Sequence, residues 1–132
     1  MASDNELPPA LATFLAGHQD PRTFRHADHV RVAFEMLKRH SFLHAAAVYS
    51  QRIKQMAASV GNPTAYNETV TVAFLAAIGE RLAYRAYDDF EAFAADNPEL
   101  LDKGVLRKWY TPEQLSSAVA RETFVLPQRT DH

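Results

Sequence analysis

Apolar residues in this chain recur at three- and four-residue steps, and that spacing commits most of it to amphipathic helices rather than strands. From Phe24 onward His26, His29/Val30, Ala33, Leu37 and His40 share one helical face, in a helix that runs to about Arg39. Glu68, Thr71, Leu75, Ile78 and Leu82 share another. A third stripe, Tyr49, Ile53, Met56 and Val60, stops at Gly61-Asn62-Pro63, a combination that ends helices. Pro8 and Pro9 suit the opening of a short first helix closed by Gly17, and Ser41 suits the N-cap of the helix after His40. The pattern predicts one long helix from about Ala65 to Ala95, interrupted at most near Gly79 and closed by Asp96-Asn97-Pro98. A last helix is expected from Pro112 to about Thr123, with Thr111 as its cap. Only Thr123-Phe124-Val125-Leu126 carries any strand signal. The expectation is an all-α fold, a compact bundle of four to five helices with functional side chains projecting from facing helices into its interior.

With 132 residues the chain is sized for one domain over 1–132, residues 1–6 and 128–132 being expected as flexible tails. Lys and Arg total 14 against 16 Asp and Glu, a net charge of −2, and no stretch interleaves basic with aromatic residues. That balance argues against a nucleic-acid partner. The absence of cysteine excludes a disulfide framework, a thiolate nucleophile and any cysteine-bound zinc. Asp4 and Glu6 stand where a secretory leader would be basic, and no apolar run reaches bilayer-spanning length. A soluble, cytoplasmic protein with no membrane partner is expected.

Two polar clusters interrupt the apolar stripes: His26-Ala27-Asp28-His29 and Tyr66-Asn67-Glu68-Thr69-Val70-Thr71. Two imidazoles three residues apart on a helix, with a carboxylate on a neighbouring helix, are what a metal site or a proton-transfer site needs. Glu68 takes a stripe position that an apolar residue would normally hold, and a carboxylate there is costly without a partner. Simpler roles exist for each residue. Either histidine can hydrogen-bond a backbone carbonyl, Asp28 suits the first turn of a helix, and Glu68 can pair with Arg31 or Arg81. Glu80, Arg81, Asp88 and Asp89 read as solvated faces. Tyr84, Tyr87, Phe90 and Phe93 read as core or interface, and Trp109-Tyr110 as an anchor for the last segment or an aromatic wall for a small ligand.

The runs Phe24-Arg25-His26-Ala27-Asp28-His29 and Tyr66-Asn67-Glu68-Thr69-Val70-Thr71, followed by Tyr110, Leu115, Ser117, Ala120-Arg121, Phe124-Val125 and Pro127, resemble an uncharacterised family of small helical bacterial proteins. That family's motifs read Phe-x-His-x-x-His, Tyr-His-Glu-Thr-x-Thr and a C-terminal Leu-x-Ser-x-x-Ala-Arg-x-x-Phe-Val-x-Pro. The resemblance covers about residues 24 to 127 and implies that His26, His29 and Glu68 form a site, without naming a reaction. Asn67 stands where the family pattern has histidine, and Gln128 where it has aspartate.

With Asn67 in place, two imidazoles and one carboxylate remain, the ligand count of a facial 2-His-1-carboxylate site or of a catalytic zinc with one bound water. The sequence therefore points to a small bundle enzyme acting on a small organic substrate. Glu68 and His29 are its catalytic candidates, and His26, His29 and Glu68 its ligands for a divalent metal (iron, zinc, nickel or manganese). Tyr66, Asn67, Thr71 and Trp109 are the substrate-binding candidates. Without metal, the histidine and carboxylate would serve as acid and base. The alternative is a non-catalytic small-molecule-binding module, or an interaction module that forms a homodimer through the aromatic stripe of the long helix, with the polar cluster as a structural network.

Overall fold

The computed structural model describes residues 7–127; the tails expected over 1–6 and 128–132 lie outside them. Helix α1, Pro9–Leu15, has proline in its first turn and ends before Gly17, whose φ of 78° is a left-handed value that glycine adopts without strain. Helix α2, His26–Arg39, opens where Asp28 reaches back to accept the Arg25 N–H at 2.9 Å, and closes on Lys38 and Arg39, charges that suit the two ends of its dipole. Ser41 caps α3, Phe42–Ser59, by accepting from the His44 N–H. A 3₁₀ turn at Pro63–Ala65 leads into α4, Glu68–Tyr84, whose cap is Asn67.

From there the chain departs from its sequence pattern. The long helix expected to Ala95 stops at Tyr84: Arg85 is extended, and Asp89 caps a separate helix α5, Phe90–Asp96, by accepting from the Ala92 N–H. Tyr87 and Arg85 both bond Asp96, which pins the intervening loop onto α5. Gly79 does not interrupt α4; a side chain there would meet Phe42 and Leu37 at ordinary contact distances. Two 3₁₀ segments follow, Pro98–Leu101 and Lys103–Lys108. The expected helix over 112–123 is two short ones, α6 Pro112–Leu115 capped by Thr111 and α7 Ala118–Glu122 capped by Ser117. Seven α-helices thus replace the expected four to five, and no strand forms among the described residues. The all-α class stands.

Helices α2 and α4 pack together at the centre, α3 lies against both, α1 and α5 cover α2, and α7 covers α4. Phe14, Phe34, Leu75, Ile78, Phe93 and Leu100 are sealed in one contiguous core. The aromatic residues 84–93 are not one helical stripe: Phe90 and Phe93 pack on Phe34, while Tyr84 is 81% exposed. No helix among the described residues is long and apolar enough to cross a membrane.

The extended segment 123–126 docks on this core through side chains instead of a sheet. Thr69, fully buried on α4, donates to the Thr123 carbonyl at 2.7 Å and accepts from the Val125 N–H at 3.0 Å. Tyr110 donates to the Val125 carbonyl and Gln114 to the Leu126 carbonyl. One hydroxyl therefore satisfies two backbone groups that would otherwise be orphaned. Thr69→Val keeps the shape but removes both bonds, and should cost about 1–3 kcal/mol in chemical denaturation, with faster amide exchange at Val125. Wild-type stability in this variant would show that the segment is held by other contacts.

Candidate functional site

Where α2, α3 and α4 come together, the helix faces carry Val30, Ala33, Val70 and Thr71 in place of the bulky side chains that fill the rest of the core, and a cavity of about 560 Å³ remains. Protein interiors hold few voids larger than a water molecule, whereas this volume is in the range of small-ligand pockets. Its walls are mainly apolar, with Phe24, Ile53, Phe74 and Leu106 among them. Polar groups enter from a few places: Arg25 from just before α2, His26 and His29 from α2, Tyr49 from α3, Tyr66 and Asn67 from the turn before α4, Thr71 from α4 itself, and Lys103 from the second 3₁₀ segment.

Both histidines sit in the first turns of α2 and each ties that helix to a neighbour. The His26 Nε2 lies 3.1 Å from the carbonyl of Leu100, which can only accept, so Nε2 carries the proton and Nδ1 is left as an acceptor. The His29 Nδ1 lies 3.2 Å from the hydroxyl of Tyr49, whose own proton is directed to the His29 carbonyl at 3.3 Å. Both bonds form together only if Nδ1–H donates to the phenol, so the network assigns the proton to Nδ1 and leaves Nε2 bare. That nitrogen is not sealed in: among the described residues the one buried side-chain polar atom without a partner is Gln114 Oε1. The His29 ring lines the cavity.

Electrostatics keeps the pair uncharged. Burial holds the His29 imidazolium pKa down to about 4, with the neighbouring His26 and the Lys103 ammonium adding to the effect and Asp28 opposing it. Burial also lowers His26, against the hydrogen bond to Leu100. The phenol of Tyr49, fully enclosed and set against Phe14 at a centroid distance of 5.4 Å, is raised far above its ordinary value by desolvation. Tyr66 is raised too, first by burial and then by its bond to Glu68.

Glu68 is where the sequence expectation fails. It is the first residue of α4, does not line the cavity, and accepts the Tyr66 phenol proton at 2.6 Å. Among the described residues no three of His, Asp and Glu stand close enough to hold one metal ion, so the expected set of His26, His29 and Glu68 is not assembled. Nor does Glu68 pair with an arginine: Arg31 holds Glu91 and Arg81 holds Glu99. Asn67 accepts from the Val70 N–H and donates to the Leu115 carbonyl at 2.7 Å, capping α4 and joining it to α6 while lining the cavity. Thr71 also lines it, its hydroxyl donating to the Asn67 carbonyl. Trp109 is half-exposed beyond the second 3₁₀ segment and is not among the lining residues.

Three polar lining residues were not among the site candidates read from the sequence: Tyr49, Arg25 and Lys103. A phenol on the apolar stripe of α3 needs a buried partner, which was the available signal for Tyr49. Arg25 and Lys103 come together only through the tertiary fold. No family model matches the chain, and none of the curated proteins or solved structures compared with it matches either.

The depressed His29 pKa has a consequence for stability. Above the ordinary imidazole value of 6.5 the ring is neutral in both folded and unfolded chains. As pH falls from about 6.5 to about 4 the unfolded chain binds the proton and the folded one does not, so stability is lost across that window. The loss from this group is on the order of 3 kcal/mol. Denaturation curves at successive pH values should show it, and His29→Gln should flatten the slope. An unchanged slope would mean that His29 is not the buried, neutral group described.

Proposed function

We propose that this protein binds a small organic molecule in the cavity between α2, α3 and α4. The observation that carries the reading is the cavity itself: about 560 Å³, mainly apolar, with a neutral histidine whose Nε2 is an unused acceptor. Apolar walls supply affinity by burying the ligand's body, and a few fixed polar groups supply orientation. His29 is held by Tyr49, His26 by Leu100 and Asn67 by Leu115, so the groups that would meet the ligand are set in place before it arrives.

A catalytic reading rests on the same Nε2, which would accept a proton from a bound substrate. It is the weaker of the two. A conjugate acid with a pKa of about 4 makes His29 a poor base at neutral pH, and Glu68 is directed to Tyr66 and lies outside the cavity lining.

Val70 lines the cavity from α4 and is partly accessible. Val70→Phe should fill part of the space while leaving the fold intact. In a thermal-shift screen of small carboxylates, alcohols and amides, compounds that raise the melting temperature of the wild type should fail to do so with this variant, because stabilisation follows occupancy of the folded state. Equal shifts in both proteins would place binding elsewhere.

A further inference from the structure

The charge on the cavity is one-sided. Two cations line it, Arg25 just before α2 and Lys103 at the start of the second 3₁₀ segment, and no carboxylate does. We infer that the ligand is a small organic anion, its apolar body held among the three helices and its anionic head met at the rim by the Arg25 guanidinium and the Lys103 ammonium. The inference rests on the reading of the cavity as a ligand site and adds the ligand's chemical class.

Among the described residues, five arginines are in ion pairs: Arg22 with Asp20, Arg31 with Glu91, Arg39 with Glu35, Arg81 with Glu99 and Arg85 with Asp96. Among the described residues neither Arg25 nor Lys103 is in one, which holds also for Arg52, Arg107, Arg121 and the other lysines; what sets these two apart is that they line the cavity. The carboxylates nearest to them in sequence are turned to backbone N–H groups and do not line the cavity. Asp28 accepts the Arg25 backbone N–H at 2.9 Å, and Asp102 accepts the Gly104 N–H at 2.9 Å. Glu68 takes the Tyr66 phenol proton behind the cavity wall. Lys103 lies near enough for its charge to act on both imidazoles, opposed by Asp102 at His26 and by Asp28 at His29, so the two cations and the histidines share one end of the cavity while those carboxylates stay off its lining.

A cleft with apolar walls and cations of a single sign concentrates field lines at its mouth and draws anions there. Arginine suits a carboxylate or phosphate because its planar fork matches two oxygens, and lysine adds a point charge. An amphiphilic anion satisfies both halves of the cavity together, whereas a neutral or cationic ligand leaves the rim unanswered.

Titration calorimetry of the whole protein at low ionic strength with octanoate, octyl phosphate and octanol separates the two layers of the argument, since the three share an apolar body. At least one of the two anions should bind about tenfold or more tightly than the alcohol, the gain expected from charge-assisted bonds at a partly screened rim. Which anion ranks first identifies the head group. The double substitution Arg25→Gln with Lys103→Gln should abolish that preference, bringing the anions down to the affinity of octanol in the same variant. Both side chains are exposed and make no ion pair, so the variant should keep the wild-type melting temperature. Octanol binding as tightly as both anions, or an anion preference that survives the double substitution, would overturn the charge inference and leave the cavity reading standing. Failure of all three probes to bind the wild type would overturn both.

Discussion

The buried hydroxyl of Tyr49 is the constraint on which the rest of the site depends. It sits in the core beside Phe14, 5% exposed, where an unpaired phenol would be costly. Its partners are the ring and the carbonyl of a single residue, His29. That pairing joins α3 to the first turns of α2, sets the imidazole's tautomer, and leaves the other nitrogen of a cavity-lining ring as an acceptor. Phe24 closes over the same ring at a centroid distance of 4.4 Å and stacks on Phe14, so α1 reinforces the arrangement. The other walls are joined in the same manner. Asn67 links α4 to α6, His26 links α2 to the Pro98–Leu101 turn, and Thr69 holds the C-terminal segment on α4. Polar ties at the ends of the helices hold the walls while small side chains leave the middle open.

The same ties explain why the polar residues of the site are not simply chemical groups awaiting a substrate. His26, Asn67 and Thr71 each spend at least one hydrogen bond on architecture and still line the cavity. Burial keeps the imidazoles neutral, so the positive charge at the mouth comes from Arg25 and Lys103 alone. The interior thus offers neutral hydrogen-bonding groups, the rim offers charge, and the apolar wall offers area.

Much of the fold was legible in the residues. Ser41, Gly17 and Gly61-Asn62-Pro63 mark helix ends by local chemistry alone, and the structure uses each of them there. The break after Tyr84 was not legible, because the apolar period continues through it. What makes the break is Asp89 acting as a cap and Asp96 gathering Tyr87 and Arg85, and those contacts exist only after the chain has turned. The site was legible in the same measure. His26, His29, Tyr66, Asn67 and Thr71 belong to the two polar clusters beside the apolar stripes, and all five line the cavity. Glu68 keeps the phase of its stripe but stands at the very start of α4, where it accepts from Tyr66 and does not join the cavity wall. Trp109 was misplaced because the second 3₁₀ segment carries it out to the surface.

The central claim is that His29 is a neutral imidazole fixed by Tyr49, with its Nε2 presented to a ligand cavity. Side-chain nitrogen NMR of histidine-labelled protein at neutral pH tests it most directly, since the two ring nitrogens report protonation separately. The account predicts opposite tautomers, with the proton on Nδ1 in His29 and on Nε2 in His26, and no imidazolium signal from either. A charged His29, or one protonated on Nε2, would contradict it.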